Sequence, residues 1–119
     1  MFTWGAMVRP TLDAAEELAA EGIDVEVVDL RTLKPLDTDA IVSSLEKTGR
    51  AAVVHEAPKT GGLAGELVAT IQEDALLYQE APIERITGFD VLFPLYALED
   101  CYLPETARIK DGITDAVEF

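Results

Sequence analysis

The chain contains 119 residues, 49% of them hydrophobic, and its 23 acidic and 9 basic residues give a formal net charge of −14. A single domain of this length has enough apolar side chains to bury a core, which excludes intrinsic disorder. A surface this negative is repelled by phosphate backbones and anionic lipids, so we expect neither nucleic acid nor a membrane as a partner.

Cysteine and lysine usage indicate the compartment. The single cysteine, Cys101, excludes an internal disulfide framework and favours the reducing cytoplasm, and we expect it to be a small packing residue. The sequence shows neither a secretory signal pattern nor an apolar run of about 20 residues. The scarcity of lysine beside many carboxylates is typical of a halophilic protein adapted to concentrated salt; an ordinary acidic cytoplasmic protein is the alternative.

Strand and helix patterns alternate in the first half of the chain. Residues 2–4 form the stub of a strand, and residues 6–21 form a helix. The residues that recur on one face of this helix, and are therefore expected inside, are Val8, Leu12, Ala15 and Ala19. A valine-rich strand follows over 24–30, and Asp37 is placed to cap a helix that runs from residue 38 to just before Gly49.

The alternation continues in the second half. A buried strand over 50–56 is followed by a third helix whose inner face carries Leu67, Ile71 and Ala75. Residues 83–87 alternate like a strand near the edge of a sheet, and residues 94–103 form an ordered apolar loop. Pro104 begins a last helix with Ile109, Ile113 and Val117 inside. Strands that alternate with helices predict a mostly parallel sheet covered on both faces.

The glycines Gly61, Gly62 and Gly65 form a turn between a predicted strand and the third helix. Such a turn can hold a phosphate on a helix N-terminus, and Arg31, after the second strand, can bind the same kind of anion. The glycine spacing matches neither of the common nucleotide-binding patterns. Close packing of the helix start, and pairing of Arg31 with a neighbouring carboxylate, are the structural alternatives.

His55 lies at the carboxyl end of its predicted strand, beside Glu56. A His–Glu pair can shuttle protons near neutral pH. Adjacent strand residues point to opposite faces, however, so a structural or interface histidine is the stronger expectation. A chain with one histidine and one cysteine also has no cluster of such ligands for zinc.

Large apolar residues crowd one region of the predicted loops, where Phe89, Phe93, Tyr96 and Tyr102 follow one another. Loops with this much aromatic surface pack against either the last helix, as a satellite core, or a second subunit. The pattern leaves both possibilities open. Since no group of residues amounts to a complete active site, we expect no catalytic residue in this chain.

Five segments of the sequence resemble one family. They are 3–7 (TWGAM), 27–37 (VVDLRTLKPLD), 53–62 (VVHEAPKTGG), 81–88 (APIERITG) and 102–104 (YLP). Together they are similar to the C-terminal domain of the β subunit of 2-oxo acid dehydrogenases, the thiamine-diphosphate-dependent decarboxylating component of the pyruvate and branched-chain type. Transketolase and deoxyxylulose-phosphate synthase share that fold but match the segments less well.

The resemblance covers residues 1–119 and implies a three-layer α/β/α domain with a mostly parallel sheet of about five strands. It also implies a single domain that is a fragment of a longer β subunit, with its first strand truncated and a thiamine-binding domain elsewhere. The cofactors of such enzymes, thiamine diphosphate and magnesium, are then expected in the parent enzyme and not in this chain. None of the family's catalytic groups matches a position here, so His55 receives no catalytic role.

The role that the resemblance implies for this domain is assembly. The implied partners are an α subunit and a second β subunit in an α2β2 heterotetramer, and the lipoyl acyltransferase core of the complex. The parent reaction is oxidative decarboxylation of a 2-oxo acid with acyl transfer to lipoamide. Two positions match acidic groups that the family uses to dock the core, Glu80 and the terminal carboxylate of Phe119. The alternatives are the C-terminal domain of transketolase or deoxyxylulose-phosphate synthase, and a freestanding domain that binds small anions.

Overall fold

A parallel sheet of four strands runs through the centre of the computed structural model, which describes residues 1–119. The strands are β1 (Phe2–Thr3), β2 (Val28–Asp29), β3 (Ala52–Pro58) and β4 (Glu84–Gly88), in the spatial order β2-β1-β3-β4. Every neighbouring pair is parallel. The predicted α/β class is therefore confirmed, with four strands where about five were expected.

Three helices connect the strands: α1 (Val8–Ala20), α2 (Thr38–Thr48) and α3 (Ala64–Asp74). Two more, α4 (Glu99–Tyr102) and α5 (Thr106–Glu118), follow β4. Short 3-10 turns lie at Gly5–Met7, Leu76–Tyr78 and Tyr96–Leu98. None of the helices is long and apolar enough to cross a bilayer.

Two separate cores lie on the two faces of the sheet, which gives the domain its three layers. On one face, α2 and α3 pack over Phe2 and Val53. On the other face, α1 and α5 pack over Val54 and Ile86. Alternate side chains of β3 enter opposite cores, as the period of an extended strand requires. This explains why β3 is apolar on both sides.

Helix α2 begins and ends where the sequence predicts, after Asp37 and before Gly49. The side chain of Asp37 accepts a hydrogen bond from the backbone N–H of Ala40 at 3.0 Å, which satisfies one of the free donors of the first turn. At the other end, Gly49 adopts a left-handed conformation with φ 69°, and its N–H donates to the carbonyl of Leu45.

The strand predicted over 24–30 is shorter than expected. Only Val28–Asp29 pair with β1, and the N–H groups of Val28 and Leu30 donate to the carbonyls of Met1 and Thr3. The Met1 ammonium donates to the carbonyl of Glu26 at 2.7 Å, and because Phe2 lies opposite Val28, residues 24 and 25 extend past the first residue of the neighbouring strand.

The inner face of α1 was predicted wrongly by one residue. The buried positions are Thr11, Ala14 and Leu18, whereas Leu12 is 41% exposed. Small side chains at positions 11 and 14 let α1 lie close to the sheet and to α5. Because alanines occur on more than one side of this helix, their spacing does not identify the side that packs against the sheet. In α5 the same reason applies to the last turn, where Ala116 is buried and Val117 is partly exposed.

Candidate functional site

His55 is buried on the α3 side of β3, with 2% of its surface exposed. Because β1 and β3 pair with Thr3 opposite Val54, the next residues along the two strands, Trp4 and His55, lie side by side. Their rings stack with centroids 5.2 Å apart and planes inclined by 12°. Glu56 points the other way and is exposed, so the two residues do not form a proton-shuttling pair.

The hydrogen bonds of His55 define its protonation state. Nδ1 accepts from the backbone N–H of Ala57 at 3.1 Å, which leaves the ring proton on Nε2. Nε2 is buried and has no hydrogen-bond partner. Burial lowers the pKa of His55 below its ordinary value of 6.5, and the positive charge of Arg85 lowers it further. The ring is therefore neutral at physiological pH.

An open concavity of about 640 Å³ lies at the start of α3, beside His55. Its lining residues are Lys59, Thr60, Gly61, Gly62, Leu63, Gly65, Glu66 and Arg85. The three glycines predicted as an anion-binding turn are brought together here. Arg31 does not line this concavity; its Nε lies 3.4 Å from the carboxylate of Asp29, so it takes the predicted structural alternative.

Exposed apolar side chains cover the segment between β4 and α4. We call residues 89–98 the apolar loop. It overlaps the loop predicted over 94–103, which instead contains the 3-10 turn Tyr96–Leu98 and helix α4. Leu92, Leu95 and Tyr96 are about nine-tenths exposed, and Phe89 and Phe93 are about half exposed. A contiguous surface of this kind is unusual on a monomer and marks an interaction site. Tyr102 differs from the other three predicted interface residues because it is buried and supports the loop from within.

Aromatic and cationic contacts hold the base of the apolar loop. Phe93 meets the ring of Tyr102 edge to face at 5.0 Å, and Phe89 meets it in the same way at 6.4 Å. The guanidinium of Arg108 lies 4.4 Å from the centre of the Phe89 ring and donates hydrogen bonds to the carbonyls of Thr87 and Tyr102. The loop is thus tied to α5 and to the end of β4.

Glu80 and the end of α5 meet at Arg50. The Nε atom of Arg50 lies 3.8 Å from the carboxylate of Glu80, and its Nη1 atom donates to the carbonyl of Ala116 at 2.9 Å and to that of Val117. Phe119 follows directly and is 76% exposed. The two predicted docking positions therefore lie on one side of the molecule, with a cation between them.

Two further predictions concern reactive and metal-binding groups. Cys101 is exposed, so the prediction that it packs in the interior is wrong; it lies in the short helix α4, whose inward side is occupied by Tyr102. No group of three or more His, Cys, Asp or Glu side chains is placed to hold a metal ion.

Several residues that organise these surfaces were not singled out by the sequence. Arg50 donates to backbone carbonyls 66 and 67 residues away and Arg108 to one 21 residues away, and such long-range contacts have no local pattern. Two residues, Lys59 and Arg85, carried a weak sequence signal for the concavity, because both are cations in an acidic chain. Lys59 precedes the glycine turn, and Arg85 lies on the alternating edge strand.

Comparisons with known proteins agree with the resemblance seen in the motifs. Residues 1–109 match the family described as transketolase, C-terminal domain. The chain is 44% identical to the pyruvate dehydrogenase E1 component subunit beta of Staphylococcus aureus and 46% identical to that of Bacillus subtilis. Both alignments cover all 119 residues, and the chain spans 37% of the length of each relative.

A solved structure has the same fold. It is a split-gene transketolase in the form of an inactive β4 tetramer, 28% identical, with a TM-score of 0.84 over 98% of this chain and 37% of the other. The predicted resemblance to 2-oxo acid dehydrogenase β subunits is thus confirmed, and the chain belongs to the family of transketolase C-terminal domains.

Proposed function

We propose that this chain is an assembly domain of the β subunit of a 2-oxo acid dehydrogenase and that it is not catalytic alone. The observation that carries the proposal is the exposed apolar loop, residues 89–98, held in place by Tyr102 and Arg108. The parent reaction is oxidative decarboxylation of pyruvate or a branched-chain 2-oxo acid with acyl transfer to lipoamide. The beta-subunit relatives support this assignment.

The apolar loop has the properties of a preformed interface. Leu92, Leu95 and Tyr96 are about nine-tenths exposed, while the base of the loop is fixed by ring contacts and by Arg108. Aromatic residues are enriched at the centre of protein interfaces, and a surface that is ordered beforehand loses less entropy on binding. We expect a second β subunit and an α subunit of an α2β2 assembly to cover it.

The thiamine diphosphate and magnesium of the parent enzyme do not fit the residues of this chain. Its only histidine is buried beneath Trp4, and the Nδ1 atom of that histidine already accepts a hydrogen bond. Carboxylates are not gathered into a group that would bind a divalent cation. We therefore place the cofactor on other parts of the parent enzyme and derive no chemical step here.

Docking of the lipoyl acyltransferase core is the second role that we propose, through Glu80 and the carboxylate of Phe119. A small basic domain would be steered to this face by its carboxylates. Arg50 lies beside Glu80 and lowers the local negative charge. The docking partner consequently has to compete with Arg50 for Glu80.

Sedimentation velocity tests the assembly role. The double variant Leu95→Glu with Tyr96→Glu places two charges on the apolar loop, and we expect it to sediment as a monomer where the unchanged chain associates. Leu12→Glu is the matched control, because Leu12 is a partly exposed leucine on α1. A strict monomer for the unchanged chain at high protein and salt concentration, or equal association of all three proteins, would contradict the proposal.

Two assays test the remaining parts. Mixing the chain with thiamine diphosphate, magnesium and pyruvate should give no turnover, and measurable decarboxylation would disprove the non-catalytic role. For docking, Glu80→Gln should weaken binding of the basic domain of the acyltransferase component several-fold at low salt, an effect that disappears at high salt. Equal affinity of the two proteins would remove Glu80 from the docking face.

A transketolase β subunit is the alternative that the solved β4 structure favours. The two assignments differ in their partners and substrates. Coexpression with the α subunit of a 2-oxo acid dehydrogenase should yield a complex under our proposal, and a complex with only the α subunit of a transketolase would support the alternative.

A further inference from the structure

Two cations at the start of α3 have no carboxylate partner, although the chain has 23 acidic residues. The ion pairs of the molecule use Arg9, Arg31, Lys47, Arg50 and Lys110. Lys59 and Arg85 are absent from these pairs, donate no side-chain hydrogen bond, and both line the concavity beside Gly62. Lys59 lies close enough to Asp90 to help lower the pKa of that carboxyl, but neither cation forms an ion pair, and two such charges on one concave surface attract an anion.

Backbone donors point into the same region. Among the N–H groups of residues 61–64, which lead into the eleven-residue helix α3, none donates to an acceptor in the protein, and no side chain caps the helix. The preceding N–H, that of Thr60, already binds a carboxylate: it donates to Asp90 Oδ1 at 2.8 Å, and the Thr60 hydroxyl donates to Oδ2. The turn therefore binds one anion within the chain and has further free donors.

A buried donor stands behind this turn. His55 has only 2% of its surface exposed, and its Nε2–H has no acceptor. The ring edge faces Gly62, because a methyl group built at Gly62 would lie 2.6 Å from Cε1 and 3.3 Å from Nε2. Unsatisfied buried donors are rare in folded proteins, and this one is directed at the wall of the concavity.

We propose that Lys59, Arg85 and the backbone of residues 61–64 form a binding site for a phosphate group. The N–H groups and the helix dipole hold the oxygens, the two cations neutralise their charge, and the unpartnered Nε2–H of His55 lies directly behind Gly62. Glu66 also lines the concavity, which leaves a net charge of +1 on its lining side chains, and the carboxylate of Asp90 lies against Thr60 at its edge. The space exceeds that of free phosphate, so a phosphate monoester fits as well.

Nuclear magnetic resonance of the ¹⁵N-labelled chain tests the site, with inorganic phosphate and glycerol 3-phosphate as probes at constant ionic strength. We expect saturable shifts of the amides of residues 61–64 and of His55 Nε2. Arg85→Gln and Lys59→Gln should each weaken binding about tenfold, the effect of losing one hydrogen bond to a charged group. Tighter binding of the ester would assign the ligand as a phosphorylated metabolite, and equal or tighter binding of phosphate would assign the free ion.

Arg31→Gln is the matched control, since Arg31 is an exposed arginine outside the concavity. It should leave both affinities unchanged. Shifts that chloride reproduces at the same ionic strength, absence of saturation by either probe, or equal affinities for all three variants would overturn the proposal. Lys59 is exposed, so its variant is expected to fold even if Arg85→Gln does not.

Discussion

The indole of Trp4 and the imidazole of His55 lie stacked across the β1–β3 pair, 5.2 Å apart. This contact joins the two central strands of the sheet, of which β3 leads into the glycine turn. It also covers one face of a histidine whose Nδ1 is occupied and whose Nε2 is buried. His55 is therefore a packed, neutral ring, and its titration is coupled to folding.

Acidification should destabilise the domain through His55. Its pKa in the folded state lies below the ordinary 6.5, so the unfolded chain binds the proton first as the pH falls. The stability contributed by the neutral ring is fully present above pH 6.5 and is lost as the pH decreases from there through the folded pKa. Urea unfolding of His55→Phe, which keeps an aromatic ring against Trp4, should show a smaller decrease between pH 7.5 and 5.5, each about one unit from that value. An identical decrease in both proteins would contradict this account.

Arg108 should control the stability of the apolar loop. Arg108→Ala removes hydrogen bonds to two carbonyls and the contact with Phe89, and we expect the free energy of unfolding to fall by about 2 kcal/mol. Arg108→Lys should recover only part of this loss, because an ammonium lacks the planar fork. Arg9→Ala, which breaks an exposed pair with Asp13, serves as the control and should cost less than about 0.5 kcal/mol in the same urea experiment. Similar losses for Arg9 and Arg108 would refute the prediction.

Arg50 should matter for stability and Glu80 should not. Arg50→Ala leaves the carbonyls of Ala116 and Val117 without their donor and should lower the free energy of unfolding by about 1 to 2 kcal/mol. Glu80→Gln loses only a long, exposed ion pair, worth less than about 0.5 kcal/mol. Thermal unfolding of both variants checks this difference, and a large loss for Glu80→Gln would make that variant unsuitable for the docking assay.

Two glycines should respond in opposite directions to the same substitution. A methyl group at Gly88 would lie 2.5 Å from the backbone oxygen of Glu56 and 2.6 Å from the ring of Tyr102, so Gly88→Ala should destabilise by about 2 kcal/mol or more. Gly65 lies in α3 with open space around its Cα, and Gly65→Ala should stabilise by about 0.5 to 1 kcal/mol. Chemical denaturation of both variants measures these changes in the free energy of unfolding. Destabilisation by Gly65→Ala would show that the start of α3 needs glycine for another reason.

Salt should stabilise the chain if its charge reflects adaptation to concentrated salt. At −14 the folded state is opposed by self-repulsion, which salt screens over about 10 Å at 0.1 M and over a shorter range at higher concentration. We expect the thermal midpoint to rise steadily as potassium chloride is added. A midpoint that does not change with salt would favour the ordinary acidic protein.

Local sequence determined the alternation of strands and helices in this protein. Asp37 and Gly49 set the ends of α2 through contacts within a few residues, and the apolar run of β3 required burial on both faces. The motif strings likewise identified the family without reference to tertiary structure. These signals act over short distances, which is why they can be read from the order of residues.

Tertiary structure alone decided which surfaces the chain offers. The inner face of α1 depended on how closely Thr11 and Ala14 approach the sheet. When two sides of a helix both carry small residues, the helical period does not show which side is buried. Tyr102 became buried and Tyr96 exposed because Phe89, Phe93 and Arg108 meet around only one of them. Arg50 reaches carbonyls 66 and 67 residues away, and such contacts exist only after the sheet has brought both ends of the domain together.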